Sequence, residues 1–518
     1  MAFRCNARRL MVAALVLLAG RSVRTHAQVS GEKLDLGALQ QIREEGMTRS
    51  RVDTMAQQLL DGIGPRLTGS PGLRRAQEWA ATTMRSWGLA NVALEPWDSL
   101  FGRGWERVSY SGKFVAPFEQ PLRAEPMGWS GSTRGAVTCD VVLIEVQDTM
   151  QLAQYAGKLR NACVMTQAWN PIGPEFEARP RRHSAESLIA WSNQRPQPQA
   201  GGNQQTPEQQ ARLRENQARN QAVNRFLRRE RPAVLLIPSG WTYGLLRTGG
   251  HPDGRIARDS AYEPTPALMV THEQYGQLYR LAKRGVPAKL EVNVQNRWSN
   301  PEKREFTVIG EIPGTDLKDE VVMIGAHYDS WYSGTGATDN AAGSLAMMEA
   351  MRILKTLNLP MRRTVRIALW SGEEQGLIGS RDYVRKHRAE MSRVSAYLNI
   401  DNGSGRLRGV WGQGNENAIR VFDQILLPFR DAGFVASRLH PTGGTDHLSF
   451  DAAGVPGFQF IQDPLEYGIR SHHSHVDTYE RLVIEDLQQA ATIVAWTVYS
   501  IANREAMMPR KEAPAGTN

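Results

Sequence analysis

The sequence has few cysteines and no long apolar runs, and each shortage excludes a class of protein. Only three of its 518 residues are cysteines, too few for a small fold held together by disulfides. No apolar run is long enough to anchor the chain across a membrane, the stretch from Leu10 to Gly20 included. At this length the chain exceeds what one hydrophobic core organises, so we expect two domains and no transmembrane segment.

The first 27 residues have the pattern of an export signal. Three arginines precede the apolar run, and Thr25 and Ala27 offer small residues for cleavage before Gln28. We expect an exported protein, periplasmic or extracellular. The pair Arg8-Arg9 leaves a twin-arginine export route open.

Positive charge is concentrated in one segment, which argues against nucleic acid as a partner. The formal net charge of +9 falls to +4 when the five arginines of the signal are removed. Residues 179–231 alone carry a net charge of +7, so the rest of the mature chain is slightly acidic. The high isoelectric point is therefore a property of this segment and not of the whole protein.

The same segment is predicted to contain a helix. Thr206, Pro207 and Gln209 supply an N-cap, a first-turn proline and a capping-box glutamine. We interpret the segment as a helical insertion packed on a loop. A basic docking face for a membrane or cell wall is the alternative.

Two cysteines, Cys139 and Cys163, remain after the signal is removed. An exported protein with an even pair can form a disulfide. Both residues also lie in apolar, strand-like runs, where buried free thiols are equally common. The sequence leaves both states open.

The clearest chemical pattern begins in the stretch from Val321 to Gly343. Its first residues form an apolar, β-branched run that predicts a strand buried on both faces. His327 and Asp329 follow this strand, and Asp339 stands at the start of a predicted helix over 340–357. Open α/β sheets bind ligands at the carboxyl ends of their strands. Histidine and carboxylate side chains in that position suit zinc.

More acidic and histidine residues follow later strands. The strand-like run 364–370 ends just before Glu373 and Glu374, and a second such run ends at Asp401. Two adjacent carboxylates beside a buried strand are costly unless a cation or a proton neutralises them. Three histidines then lie close together in the segment 471–478. Because these groups recur in order at strand ends and loops, we predict that they form one site.

These motifs resemble a known family. The segments that carry the likeness are HYDS, GATDNAAGS, EEQGLIGS, NIDNGSG, GGTDHLSF, AGVP and HHSHVDT. The chain is similar, over nearly all of its mature length, to the two-zinc exopeptidases that include bacterial zinc aminopeptidases and glutamate carboxypeptidases. Within that family it most resembles the carboxypeptidase Q branch.

The resemblance implies a fold and a domain order. The expected fold is α/β: a mixed-sheet zinc-peptidase domain with helices on both faces, carrying an inserted protease-associated domain of the α+β class. The expected order is a signal peptide at 1–27, the N-terminal part of the peptidase domain at 28–119, the insertion at 120–296 with a basic, partly helical sub-insertion at 173–232, the catalytic part at 297–505 and a tail at 506–518.

The resemblance also implies which residues bind metal. One zinc is expected to take His327 and Asp401, the other Glu374 and His473, and Asp339 is expected to bridge the two. We therefore expect two Zn²⁺ ions per chain. Paired metals of this kind activate one shared water and polarise the scissile carbonyl.

Two further residues are expected to assist the reaction. Glu373 matches the general base of the family, which takes the proton of the attacking water and returns it to the leaving amine. Asp329 fits a carboxylate that orients the His327 ring.

Four other residues near the motifs are also given expected roles. His472 stands where many relatives have tyrosine, so we expect a donor to the oxyanion there. Asp446 is a candidate for the substrate pocket, with a structural role as the alternative. His475 and His447 are expected to be hydrogen-bonded structural residues.

The predicted function is hydrolysis of short peptides by an exported zinc exopeptidase, an aminopeptidase or a dipeptidase. A free amine would be bound by a carboxylate such as Asp446, and a free carboxylate by an arginine such as Arg470. Two alternatives stay open: a glutaminyl cyclase-like aminoacyltransferase with one zinc, and a non-catalytic binding member of the same fold. The sequence also leaves the oligomeric state open, a homodimer included.

Overall fold

The computed structural model describes residues 31–146, 148–177, 179–194 and 206–511. The predicted signal peptide lies outside these residues. Among the helices they form, none combines the length and the apolar character needed to span a membrane.

The described residues form helices and strands in both halves of the chain. The helices are α1 (Leu36–Thr48), α2 (Val52–Gln57), α3 (Pro71–Ser86), α4 (Ala185–Asn193), α5 (Pro207–Glu230), α6 (Gly254–Asp259), α7 (His272–Lys283), α8 (Ala342–Leu357), α9 (Ile378–Lys386), α10 (Glu416–Ile425), α11 (His447–Asp451) and α12 (Ile484–Asn503). The strands are β1 (Ala90–Pro96), β2 (Gly104–Ala116), β3 (Gln120–Pro121), β4 (Ala124–Pro126), β5 (Val137–Leu143), β6 (Cys163–Met165), β7 (Val234–Pro238), β8 (Ala267–Val270), β9 (Lys289–Ser299), β10 (Phe306–Ile312), β11 (Leu317–His327), β12 (Arg363–Trp370), β13 (Val394–Asn399), β14 (Leu407–Trp411) and β15 (Gly457–Gln462).

The first sheet has seven strands in the order β1-β10-β12-β11-β13-β15-β14. Its centre is parallel, because β11 pairs in the same direction with β12 and β13, and β13 does so with β15. The outer strands β1, β10 and β14 are antiparallel to their neighbours. The expected α/β fold with a mixed sheet is confirmed.

Helices cover both faces of this sheet. Val322 and Ile324 of β11 pack into a core shared with α8 and α12, whereas Val321 and Met323 pack into a second core shared with α9 and α11. Both faces of the strand are therefore buried, which explains its continuous apolar sequence. The parallel arrangement brings the carboxyl ends of β11, β12 and β13 to one edge.

The second sheet has eight strands in the order β3-β2-β9-β5-β6-β7-β8-β4. The strands β5 to β8 are parallel to one another, while β2 and β9 form a long antiparallel pair. β2 begins at Gly104, before the predicted boundary at residue 120, and β9 extends to Ser299. The limits of this sheet therefore differ from the expected 120–296. The change to proline-rich sequence, on which that expectation depended, comes only after β2.

The basic segment contains the expected helix. The side chain of Thr206 accepts a hydrogen bond from the backbone of Gln209, and the Gln209 side chain bonds back to Thr206, so the capping box is present. The helix α5 that follows buries Phe226 and Leu227 in a core with Ile237 of β7. Most of its first three turns is exposed, and Val223 packs partly against the same core.

Cys139 and Cys163 form a disulfide. The two residues lie on β5 and β6, which are neighbouring parallel strands of the second sheet. The alternative of free thiols, which the sequence left open, is thereby excluded.

A buried ion network joins the first helix to the main core. The guanidinium of Arg352 on α8 contacts Glu349 at 2.8 Å and Glu45 of α1 at 2.7 Å. All three side chains are less than a tenth exposed. Removing one partner of such a network leaves an uncompensated buried charge.

We therefore expect Arg352→Met to lower the free energy of unfolding by about 3–5 kcal/mol. Arg49→Met is the matched control, since Arg49 also contacts Glu45 but is 55% exposed. Because that pair is exposed, we expect Arg49→Met to lower the free energy of unfolding by less than about 1 kcal/mol. Urea unfolding followed by circular dichroism measures both, and equal losses would contradict this account of the network.

Candidate metal centre

The predicted site residues meet at the carboxyl edge of the first sheet. His327 is the last residue of β11 and pairs in register with Trp370, the last residue of β12. The turn after β12 carries Glu373 and Glu374, and Asp401 follows β13. Parallel strands thus deliver a histidine and three carboxylates to the same edge.

Asp339 lies between the other candidate ligands. Its Oδ1 is 3.3 Å from Nε2 of His327, and that nitrogen is also 3.2 Å from Oδ1 of Asp401. Its Oδ2 is 3.3 Å from Nε2 of His473, which lies 2.9 Å from Oε2 of Glu374. All five predicted ligands are therefore brought together, with one Asp339 oxygen on each side.

Ligand-type atoms form two compact groups in this part of the structure. His327, Asp339 and Asp401 make one group, and Asp339, His472 and His473 make the other, with all atoms of a group within 4.8 Å of one another. Asp339 belongs to both groups. The arrangement has the form of two adjacent cation sites that share one carboxylate.

The buried charge of the cluster fits a bound cation. Oε1 of Glu374 and Oδ2 of Asp339 are buried and have no hydrogen-bond partner among the described residues. Burial raises the pKa of the Glu373 and Glu374 carboxyl groups well above their ordinary value. Carboxylates without donors in an apolar surrounding are costly unless a positive charge lies beside them. Imidazole and carboxylate donors together suit zinc.

Asp329 holds the turn that carries the two glutamates. Its carboxylate accepts hydrogen bonds from the backbone N–H groups of Glu373 and Glu374, at 3.3 and 3.4 Å, and from the hydroxyl of Thr68 at 2.8 Å. The His327 Nδ1 lies 3.0 Å from the backbone carbonyl oxygen of Asp329 and 3.6 Å from its carboxylate. The sequence interpretation assigned the orientation of His327 to the Asp329 carboxylate, whereas the carbonyl makes the closer contact.

Asp477 fixes the position of Asp339, a role that the sequence analysis missed. Its carboxylate accepts hydrogen bonds from the backbone of Asp339 at 3.1 Å and from the backbone and hydroxyl of Thr338 at 2.7 Å. Burial raises the pKa of Asp477 to about 7. The only signal in the sequence was its place in the HHSHVDT motif.

Arg66 was also missed, and it holds the loop between β11 and α8. Its guanidinium is fully buried and donates to the backbone carbonyls of Tyr328, Thr335 and Gly336. No carboxylate pairs with it among the described residues. The positive charge therefore stays near the acidic cluster while its donors are used to fix the loop backbone.

His472 lies against the cluster, next to the ligand His473. The two rings are 3.8 Å apart, and Nε2 of His472 is 3.8 Å from Oδ2 of Asp339. Nη2 of Arg247 approaches the other ring nitrogen, Nδ1, at 3.3 Å. Burial lowers the pKa of His472 to about 4, so the ring is neutral near pH 7.

The remaining predicted residues are Asp446, His475 and His447. Asp446 is fully buried, and burial raises its pKa to about 7. His475 accepts a hydrogen bond from the backbone of Leu246 at 3.1 Å, and Nε2 of His447 lies 3.2 Å from the carbonyl of Thr442. Both histidines make the hydrogen bonds that the sequence analysis expected of structural residues.

We expect Asp477→Asn to weaken metal binding about 10- to 100-fold. The asparagine side chain has one acceptor oxygen, whereas Thr338 and Asp339 donate to two different oxygens of the Asp477 carboxylate. The substitution therefore removes one of these bonds, and Asp339 loses its fixed position. Asp316→Asn, at the opposite end of β11 and exposed, serves as control. Competition with a coloured chelator measures the affinity, and an unchanged value for Asp477→Asn would contradict the role of this residue.

Comparison with known proteins agrees with this geometry. Residues 307–498 match peptidase family M28. Carboxypeptidase Q of Bos taurus is 26% identical over 466 residues, which are 87% of this chain and 85% of that protein.

Two solved structures show the same fold. A peptidase M28 precursor from Shewanella amazonensis gives a TM-score of 0.67 at 23% identity, covering 92% of this chain and 99% of that one. BSAP, a zinc aminopeptidase from Bacillus subtilis, gives a TM-score of 0.56 at 18% identity, covering 88% and 95%. The matched segment contains all five predicted ligands, and the resemblance to this family that the motifs indicated is confirmed.

Proposed function

We propose that the protein is a zinc-dependent metallo-exopeptidase that hydrolyses short peptides and binds two zinc ions per chain. The observation that carries the proposal is the position of Asp339. One of its oxygens faces His327 and the other faces His473. A single carboxylate shared between two groups of ligand atoms suits a pair of metal ions better than one ion.

In this proposal His327 and Asp401 would hold one zinc, Glu374 and His473 would hold the other, and Asp339 would be available to both. Bound there, the zinc pair would supply Lewis acidity toward the scissile carbonyl and the attacking water. The backbone around these ligands is held in place by hydrogen bonds to the side chains of Asp329, Asp477 and Arg66.

Glu373 is the proposed general base. Its neighbour Glu374 points at His473, which leaves the Glu373 carboxylate free for proton transfer. Burial raises the pKa of this carboxyl, so it is a stronger base than an exposed glutamate. It takes a proton from the attacking water and passes it to the nitrogen of the leaving amine.

His472 is the proposed donor to the oxyanion. A guanidinium has no acceptor, so Nη2 of Arg247 must donate to Nδ1 of His472. In a neutral ring the proton then lies on Nε2, the nitrogen that faces Asp339. A fixed N–H group in this position can stabilise negative charge that develops on the substrate's carbonyl oxygen.

The second sheet is proposed to be an inserted domain of the protease-associated type that restricts access to the centre. Its segment after β7 contacts the metal-ligand loop directly, since the backbone of Thr248 donates to the carbonyl of His473 at 2.8 Å. A wall so close to the centre favours short substrates over folded protein chains. Export, proposed from residues 1–27, fits a protein with a disulfide.

Metal content tests the two-zinc proposal directly. We expect elemental analysis of gently purified protein to give two zinc ions per chain, and activity on an unblocked dipeptide to return when zinc is added to stripped protein. A single tightly bound ion together with cyclisation of an N-terminal glutamine would support the glutaminyl cyclase-like alternative. Two ions without peptide hydrolysis would indicate a non-catalytic member of the fold.

The two adjacent glutamates provide a matched pair of variants. Glu373→Gln should lower kcat by about 10²- to 10⁴-fold and leave the metal content unchanged, because it removes a proton acceptor and no ligand. Glu374→Gln should lower the metal content itself. The assignment is wrong if both variants lose metal equally, or if neither does.

A further inference from the structure

A segment that belongs to the second sheet crosses onto the first. Residues 179–194, which we call the strap, lie in the connection between β6 and β7 and include α4. The main-chain carbonyl of Arg181 accepts a hydrogen bond from the N–H of Leu465 at 3.0 Å, and the N–H of His183 donates to Asp463 at 2.8 Å. Both partners follow β15 of the first sheet. The strap therefore contacts the segment that leads to the candidate metal ligands.

Arg182 fastens the strap through two buried carboxylates. Its Nη1 lies 3.0 Å from Oδ2 of Asp463 and 2.5 Å from Oδ2 of Asp486 on α12. Both carboxylates are almost fully buried, whereas Arg182 is 40% exposed. Asp463 also pairs with Arg408, and Asp486 also pairs with Arg406. Because each carboxylate keeps one arginine, removal of Arg182 loosens the strap without leaving an unpaired buried charge.

A second fastening lies at the other end of the strap. The guanidinium carbon of Arg438 is 5.3 Å from the ring centroid of Trp191 on α4 and 5.2 Å from that of Trp411, the last residue of β14. Its Nη2 donates to the side-chain oxygen of Gln194 at 3.1 Å. Stacking of a cation between two indole rings is favourable. Both ends of the strap are thus attached to the first sheet.

The strap lies at the boundary between two clefts. One cleft, of about 400 Å³, is lined by Thr338, Tyr467 and Ser471 and by Pro180 of the strap. The other, of about 660 Å³, is lined by Trp241 and again by Pro180. A peptide in the smaller cleft therefore cannot continue past Pro180 into the larger one unless the strap is displaced.

The smaller cleft adjoins the candidate metal centre. Thr338 precedes Asp339 in the chain, and the ring of Tyr467 lies 4.9 Å from the ring of His472. A volume of about 400 Å³ is near the lower end of the range for small-molecule sites, about 300–1,000 Å³. The cleft has room for a short piece of peptide and ends at the strap.

We infer that the strap limits the length of the peptide on the side of the scissile bond that occupies this cleft. The inference rests on the proposed function and gives its substrate class: dipeptides and tripeptides in preference to longer chains. The residues that set this limit are Pro180 as the wall, with Arg182 and Trp191 as the fastenings that hold it in place.

The test measures kcat/KM for unblocked alanine peptides of two to five residues. In the wild type this value should fall at least about 10-fold between the dipeptide and the tetrapeptide, the discrimination expected of a site of fixed size. A release variant that combines Arg182→Met with Trp191→Ala loosens both fastenings, and the difference should then shrink to less than about 3-fold.

Arg406→Met is the matched control. Arg406 contacts the same Asp486 carboxylate and is similarly exposed, at 45%, but it lies outside the strap. This variant should keep the full difference between dipeptide and tetrapeptide. If it loses the difference as the release variant does, the effect comes from Asp486 and the inference is wrong.

Hydrogen exchange measures the docking of the strap without reference to activity. The N–H groups of His183 and Leu465 are hydrogen-bonded across the contact between strap and first sheet. Both should exchange faster in the release variant than in the wild type or in Arg406→Met. Unchanged exchange would show that Arg182 and Trp191 do not hold the strap, which rejects the inference.

Two further kinetic results would overturn the inference while the exopeptidase function stands. One is equal kcat/KM for dipeptide and tetrapeptide in the wild type. The other is an unchanged difference in a release variant whose strap exchanges faster.

Binding separates failure of the inference from failure of the proposed function. If no peptide is hydrolysed, the proposed function fails, and isothermal titration calorimetry with the same dipeptide and tetrapeptide still tests the strap. A dipeptide preference of at least about 10-fold in the wild type that the release variant loses supports the strap as the limit on length. Equal binding of both peptides to the wild type, no binding of either, or a preference that the release variant retains rejects it.

Discussion

The concentration of buried carboxylates at one edge of the first sheet is the constraint on which the rest of the structure depends. Asp339, Glu374 and Asp401 lie within a few ångströms of two imidazoles, and the burial of such groups is costly without compensating positive charge. Parallel strands with both faces covered by helices make this edge rigid. The sheet therefore holds these groups together through its own packing, and a cation bound among them would offset the cost of their burial.

Backbone contacts, more than side-chain pairs, hold the ligands in position. The Asp329 carboxylate fixes the Glu373–Glu374 turn, and the Asp477 carboxylate fixes Asp339 through main-chain N–H groups. Arg66 places a buried positive charge near the cluster while its donors go to loop carbonyls. Each of these residues leaves the ligand side chains free for a cation, because it binds the peptide backbone around them.

The second sheet contributes contacts to the candidate site. The segment after β7 meets the histidine loop through Leu246, Arg247 and Thr248, so ligand positions on one sheet depend on the packing of the other. The disulfide between β5 and β6 links strands of this same sheet. This sheet also supplies Arg247, whose guanidinium donates to Nδ1 of His472.

The sequence by itself predicted the α/β class, the mixed sheet and a site at the strand ends, and the motifs named the five candidate ligands that the structure brings together. These features follow from local patterns: apolar runs that end in His, Asp or Glu, and motifs of fixed spacing. Tertiary structure alone decided the disulfide, the extension of the second sheet back to Gly104, and the roles of Asp477, Arg66 and Arg247. Each of these features depends on residues that are far apart in the chain. The sequence around an arginine or an aspartate does not reveal whether its partner is solvent, a backbone carbonyl or a ligand. Only the packing of the two sheets shows that Arg470 pairs with Glu466 and that Arg247 contacts His472.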